Sequence, residues 1–373
     1  MSGFLKHYAY PVATLSGSII GVGFLSLPYI AVKVGIWPML FYFAVLSLIM
    51  VCLHAIFGRI SLKTPDFKRW PGFVGFYFGD KAKKVVSVLQ IFGTFGVLLA
   101  YLIVGSQFLK EIFSPAIGGS LFAYVFCYFA VLSAVSYFGV KVTSRIVFWA
   151  LLLLVFSIIL VFYQGFEAMH WSNIFASSFN LDFSNALLPY GAIIFSLWGT
   201  GLIPEVEEMV RGHKQSLKKI IVISTLIPAV FYLAFMFLVL SISGASTTES
   251  ALSGLGNFLG RGAVLAALFM GVITTFNGFL AQSTLLKKIF IYDLNVKKFP
   301  AWAMVCLTPF VLFLLGINSF IWVISFIGGI FLSIDGIIIL LMYKKIGGKN
   351  IIIYPLALIF ILGIIYEIVY FTR

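Results

Sequence analysis

Apolar runs of about 20 residues, roughly what a helix needs to cross a 30 Å hydrocarbon layer, recur along the whole chain and are separated by short charged segments. The pattern predicts an all-α polytopic membrane protein with eleven transmembrane helices, at about 8–31, 36–57, 86–109, 120–138, 146–165, 186–205, 220–243, 261–285, 300–316, 320–343 and 351–371. No soluble domain fits between these spans. The first run is too long for the core of a signal peptide and has no convincing cleavage site, so it is read as the first helix.

Two runs carry residues that a spanning helix avoids. "LSGSIIGVGFLSLPY" at 15–29 puts Gly17, Gly21 and Gly23, the hydroxyls of Ser16, Ser18 and Ser26, and Pro28 into one apolar stretch. "LLPYGAIIFSLWGTGLIPEVEEM" at 187–209 does the same in its middle, Ser196 to Gly201, with Pro204 following. A backbone that unwinds in lipid leaves N–H and C=O groups unpaired at several kcal/mol each, so a break persists only where protein, ligand or ions satisfy it. Each break also makes new helix ends at mid-depth, the N-terminal one with about half a positive charge and the C-terminal one with about half a negative charge. Such ends suit a zwitterion, and an amino acid is the obvious candidate. With the N-terminus cytoplasmic, amides near Gly21, Val22 and Gly23 are expected to hold its carboxylate. Carbonyls near Ser18, Ile19, Phe195 and Ser196 are expected to take its ammonium, with Gly199 in the second break. Glycine suits these positions because it accepts unusual dihedrals and lets a ligand approach the backbone closely. Helix packing is the alternative for any single glycine cluster. The correspondence of the two breaks favours the site.

Predicted spans 1–5 cover about 8–165 and spans 6–10 about 186–343, equal lengths with an offset near 178 residues. Five is odd, so two such units in series enter the membrane in opposite directions, as a 5+5 inverted repeat requires. The chain therefore divides into a first repeat (1–165), an extracellular connection (166–185), a second repeat (186–343) and an extra eleventh helix (344–373), with broken helices 1 and 6 leading the repeats.

Composition agrees: 62% of residues are hydrophobic and 10% charged, where soluble domains carry about 25% charged residues. The net charge of +13 suggests nucleic acid only until its distribution is seen. With a cytoplasmic N-terminus, 21 of the 25 Lys and Arg lie on inside loops, and Lys33, Lys110, Arg261 and Arg373 fall outside. That asymmetry puts the C-terminus outside a cell membrane and makes the surplus charge an insertion signal. Cys52, Cys127 and Cys306 fall within spans without metal or disulfide spacing and read as buried small apolar residues.

"GSIIGVGFLSLPYIAVKVG" at 17–35 resembles the first helix of the amino acid/auxin permease and hydroxy/aromatic amino acid permease families, within the amino acid-polyamine-organocation superfamily. "SLWGTGLIPEVEEMVRGHKQSLKKIIVISTLIPAVFYLAFMFLVL" at 196–240 resembles their sixth and seventh helices, with the Ile227–Pro228 pair in the seventh. "TTFNGFLAQSTLLKKIFIYDL" at 274–294 is similar to the eighth helix of the aromatic branch. The resemblance implies the leucine-transporter fold, alternating access around a site between helices 1, 3, 6, 8 and 10, and coupling to H+ or Na+. In sodium-coupled relatives a hydroxyl pair on helix 8, here Thr274 and Thr275, joins carbonyls of the helix 1 break, here Gly17 and Ile20, around one sodium. Proton-coupled members also keep a hydroxyl pair, and mid-membrane threonines often bond their own i−4 carbonyl.

Asp335 is the only acidic residue read as lying well inside a span. It suits either a proton relay or a structural hydrogen bond near the cytoplasmic mouth. Tyr101 suits a cap on the substrate or an ordinary packing role, and Trp198 suits a wall of the side-chain pocket. Together Phe195 and Trp198 favour a large apolar or aromatic substrate. No nucleophile, base and orienter set, zinc spacing or phosphate loop marks an enzyme, and no cofactor is called for. The expected function is import of a neutral, apolar or aromatic amino acid by an ion-coupled secondary transporter acting as a monomer in the lipid bilayer, without nucleic acid. The alternative is an amino-acid-sensing receptor of the same fold, similar to germinant receptors, without net transport.

Overall fold

The two interrupted runs organise the architecture. The computed structural model describes residues 5–65, 68–138, 156, 159, 161–175 and 187–372, and every regular element among them is helical. The first run forms α1 (Tyr10–Ile19) and α2 (Leu27–Val34), joined through Ile20–Val22 and a single 3-10 turn, with a 50° bend between the two arms. Gly35, at φ 89°, then turns the chain sharply into α3 (Ile36–Lys63), a conformation in which a side chain is strained. A short helix, α4 (Trp70–Phe78), leads into the long α5 (Asp80–Ile117) and then α6 (Leu121–Phe138).

The sixth predicted span divides into α7 (Leu188–Leu197) and α8 (Ile203–Met209), separated by Trp198, Gly199 and one 3-10 turn. Beyond it come α9 (Leu217–Ser243), α10 (Arg261–Lys288) and α11 (Lys298–Leu314). The tenth span is α12 (Phe320–Phe326) and α13 (Ser333–Lys345), joined by a π turn at Ile327–Leu332, and α14 (Asn350–Thr372) ends the chain. Pro28, Pro189 and Pro204 each stand in the first turn of α2, α7 and α8, where a missing N–H costs nothing and the fixed φ starts a helix.

Among the described residues six helices are long and apolar enough to cross a membrane, seven if the bent first pair is one span. Predicted spans 4 and 9 are shorter apolar helices, and span 6 is cut at its break. Span 5, with Lys141 and Arg145 before it, falls largely outside the described residues, as does the second half of the 166–185 connection. The count of eleven and the inverted repeat therefore stand as readings of the sequence.

Buried apolar side chains gather in two clusters. One unites α1, α2, α3, α7, α9, α12 and the last two helices. The other is built by α5, α6, α10 and α11, with α5 and α10 also reaching the first. Large exposed residues such as Trp37, Phe41 and Leu48 face outward, as lipid-contacting positions do. The cysteines differ from expectation: Cys306 is buried, Cys52 half-buried, and Cys127 lies on the exposed face of α6, because a helix in lipid has no need to turn a small apolar residue inward.

Candidate functional site

The breaks are narrower than the glycine pattern predicts. Gly17 and Ser18 are still helical in α1, where Ser18 Oγ donates to the Leu15 carbonyl at 2.8 Å, and Ser196 is still helical in α7. The backbone leaves the helix only at Ile20 (φ −71°, ψ 91°) and at Trp198 (φ −70°, ψ 124°). None of Gly17, Gly21, Gly23, Gly199 and Gly201 has a positive φ, so dihedral freedom is not why glycine stands there. Close approach is the reason. A methyl group on Gly23 would stand 2.5 Å from Ser196 Oγ and 2.8 Å from the Phe195 ring, and one on Gly199 would stand 2.5 Å from Ile19 Cγ1. The two breaks therefore lie directly against each other.

Their exposed polar groups are held by side chains from neighbouring helices. Tyr232, fully buried on α9, donates its hydroxyl to the Ile19 carbonyl at 2.8 Å and to the Ser196 carbonyl at 3.1 Å, so one proton serves the C-terminal ends of both α1 and α7. On the other side of the second break, the Gly199 amide donates to His54 Nε2 at 3.2 Å. That bond makes Nε2 the acceptor nitrogen and leaves the proton on Nδ1, 3.0 Å from Thr225 Oγ1, which in turn donates to the Ile221 carbonyl at 2.9 Å. His54 is wholly buried, with Trp198 edge-on at 6.5 Å between ring centroids.

The Ile227–Pro228 pair has a local use. Pro228 lies inside α9 and has no N–H for the Ser224 carbonyl four residues earlier. Ser16 Oγ of α1 donates to that carbonyl at 3.1 Å, and Ser224 Oγ donates back to the Val12 carbonyl at 3.4 Å. The helix before the break is thereby fastened to the helix that carries Tyr232.

A cavity of about 10 Å³ opens beside the first break, bounded by Gly21, Val22, Phe235, Gly271, Thr274 and others. That is room for about one water molecule. Tyr101 stands over Gly21, its hydroxyl 3.5 Å from where a Cβ would be, and its ring rests on Gly278 of α10. No backbone carbonyl among the described residues accepts from the Gly21 or Val22 amides, the Gly21 amide facing the Tyr232 hydroxyl oxygen, whereas the Ile20 amide is held by the Ser16 carbonyl at 3.0 Å.

The structure thus gathers Ile19, Gly21, Val22, Gly23, Tyr101, Phe195, Ser196, Trp198, Gly199 and Thr274 around the breaks. Two residues lie elsewhere. Thr275 points to α6 and α5: Tyr128 hydroxyl is 2.8 Å from its Oγ1, and a methyl on Gly105 would stand 2.6 Å from it. The two threonines occupy adjacent positions on one helix, about 100° apart, and here they take different partners, Thr274 bordering the cavity at the first break and Thr275 facing Tyr128. Thr274 bonds its own i−4 carbonyl, Met270, at 2.9 Å. Asp335 accepts from the Trp70 indole at 3.0 Å, which ties α13 to α4 away from the breaks. Sequence reasoning missed Tyr232 and the role of His54. One tyrosine among 17 gives no signal, whereas a histidine in the middle of an apolar run could have been paired with the amide that a broken helix must expose.

The sequence matches the family described as transmembrane amino acid transporter protein over residues 9–339. No curated protein matches it. Among solved structures 124 chains are similar. One is MhsT in complex with L-phenylalanine, at a TM-score of 0.57 and 15% identity over 97% of each chain, a likeness that shows the leucine-transporter fold. A chain whose helices part in this way, and which the family matches over nearly its whole length, belongs to the transmembrane amino acid transporter family: it is a multi-pass membrane transporter of a small molecule, not an enzyme.

Proposed function

We propose that the protein imports a neutral, large apolar or aromatic amino acid together with a proton across the cell membrane. The observation that carries this is the convergence of the Ile19 and Ser196 carbonyls on a single hydroxyl. Two helix C-terminal ends meet there with four lone pairs and one proton between them, so acceptor capacity remains for an ammonium group. The Gly21 and Val22 amides, at the break that leads into α2, suit the carboxylate. Phe195 and Trp198 supply apolar walls, and the L-phenylalanine in the MhsT complex is of the same chemical class. A water-sized cavity cannot admit such a substrate, so binding requires the α5, α6, α10 and α11 group to move relative to the other cluster, as alternating access does.

Proton rather than sodium coupling is favoured because Thr275 is turned away from the first break, which leaves the hydroxyl pair unable to act together on an ion beside Gly17 and Ile20. The two repeats at 1–165 and 186–343, a cytoplasmic N-terminus and a monomeric unit complete the reading. Uptake of labelled L-phenylalanine into proteoliposomes tests it. An inward pH gradient without sodium drives accumulation on this reading. Binding without accumulation would make the protein a receptor, and accumulation that needs a sodium gradient would overturn the proton assignment.

A further inference from the structure

Glu367 lies four residues inside the end of the last predicted span, and the sequence pattern gives it no role. In the structure it is 1% exposed, and its Oε1 has no hydrogen-bond partner among the described residues. Two glycines make room for the carboxyl group, and a third lets their backbones close together. A methyl on Gly191 of α7 would stand 2.8 Å from Oε1, and one on Gly329 would stand 2.6 Å from the carboxyl carbon and from Oε1. A methyl on Gly328 would collide with the Gly191 carbonyl. Ser325 completes the pocket: its carbonyl abuts Gly191, and its buried hydroxyl likewise has no partner. The α12–α13 junction is wound here as a π turn, an irregularity frequent at functional sites, and Ser333 Oγ reaches back to the Gly328 carbonyl at 3.1 Å.

Building on the proton-coupled reading above, we propose that Glu367 is the group that binds the coupled proton. The carboxylate takes a proton from the outer side, carries it as a neutral carboxyl while the bundle rearranges, and gives it up to the inner side, so one proton enters and one leaves per cycle. Contact with Gly191 links this change to the transport site. Gly191 precedes Ser196 by five residues on α7, about 7.5 Å along a helix, so a change in how α7 packs against the carboxyl moves the end that bears the Ser196 carbonyl.

Among the described residues Glu205, in the first turn of α8, also has a buried carboxylate oxygen without a partner, but its side chain is only half-buried, and two further titratable groups inside the bundle are engaged. Both nitrogens of His54 hold hydrogen bonds, and Asp335 Oδ1 holds the Trp70 indole. Around Glu367, α7 presents Tyr190, whose hydroxyl is 2.9 Å from Ser333 Oγ. Its own helix carries Tyr366 and Tyr370, the π turn Ile327–Leu332 has no titratable residue, and Asp335 is the next acidic group along α13.

Glu367→Gln in proteoliposomes decides the matter. Expected is exchange of labelled L-phenylalanine across the membrane within about twofold of wild type, with pH-gradient-driven accumulation reduced to a ratio of about one. Wild-type accumulation in Glu367→Gln overturns the proposal. Should that variant neither exchange nor accumulate, Glu367→Asp is decisive: accumulation supports a carboxyl requirement, and its loss with exchange intact or absent counts against it. Failure of proton coupling itself is read separately, from wild type, as accumulation driven by sodium and indifferent to pH.

Discussion

Tyr232→Phe removes one oxygen and leaves the ring in place. The Ile19 and Ser196 carbonyls then lose their shared donor in a fully buried position. One hydrogen bond contributes about 0.5–1.5 kcal/mol net, and a buried acceptor left without a partner costs about 1–3 kcal/mol. Because a single proton is divided between two carbonyls, the upper bound is set by one donor, and a loss of about 1–3 kcal/mol is expected for the free protein. The bound amino acid changes the sum. Its ammonium brings three donors to the same carbonyls, so the variant recovers on binding what it lost, and the substrate binds about 5- to 150-fold more tightly relative to wild type. The assay is thermal unfolding of detergent-purified protein over a titration of L-phenylalanine. The variant melts lower without ligand and shows a larger ligand-induced rise than wild type. Equal destabilisation with and without ligand would refute the reasoning, since the carbonyls would then be remote from the ammonium.

Three further outcomes follow from the same geometry. His54→Gln keeps an acceptor at the Nε2 position for the Gly199 amide and retains most of the wild-type stability, while His54→Ala loses about 1–3 kcal/mol in chemical or thermal denaturation. Ser16→Ala strips the Ser224 carbonyl of its donor and destabilises by a similar amount; adding Pro228→Ala restores an N–H four residues on, and the double variant melts above the single one. Gly23→Ala drives a methyl into Ser196 and Phe195 and costs about 1–3 kcal/mol with loss of uptake, whereas Gly21→Ala, with nothing closer than 3.5 Å, leaves the melting temperature unchanged and weakens only substrate binding.

Solvent, class and the location of both breaks were legible in the sequence because each rests on a strong local rule. Twenty apolar residues admit few environments, and glycine with proline inside them is costly unless used. The extent of the breaks was not legible. Helix continues through Gly17 and Ser18, its last turn closed by the Ile20 amide on the Ser16 carbonyl, and the site glycines keep ordinary dihedrals because what they supply is clearance for neighbouring side chains and backbone. The Thr274–Thr275 pair shows a second limit: adjacency in sequence fixes an angle of about 100° around a helix, and which of the two faces the break depends on packing against Tyr128 and Gly105. Glu367 was hidden for a related reason. A carboxyl near the end of a span reads as interfacial until the glycines of two other helices are seen to enclose it.

These features imply a common logic for the bundle. The breaks expose peptide groups that lipid cannot satisfy, and α3 and α9 supply partners for some of them, His54 for the Gly199 amide and Tyr232 for two carbonyls, while Ser16 of α1 and Ser224 of α9 fasten those two helices to each other. The Gly21 and Val22 amides receive no backbone carbonyl among the described residues. A substrate carboxylate placed there gains charge-assisted bonds to groups already oriented, while its ammonium must share carbonyls with Tyr232. On the proposed reading, affinity for the acid end comes from preorganised donors and affinity for the amine end from competition. Amino acid amides and decarboxylated amines consequently lose more binding than N-methylated amino acids, a ranking that competition against labelled L-phenylalanine measures; the opposite order would mean that the ammonium, not the carboxylate, is the anchored end.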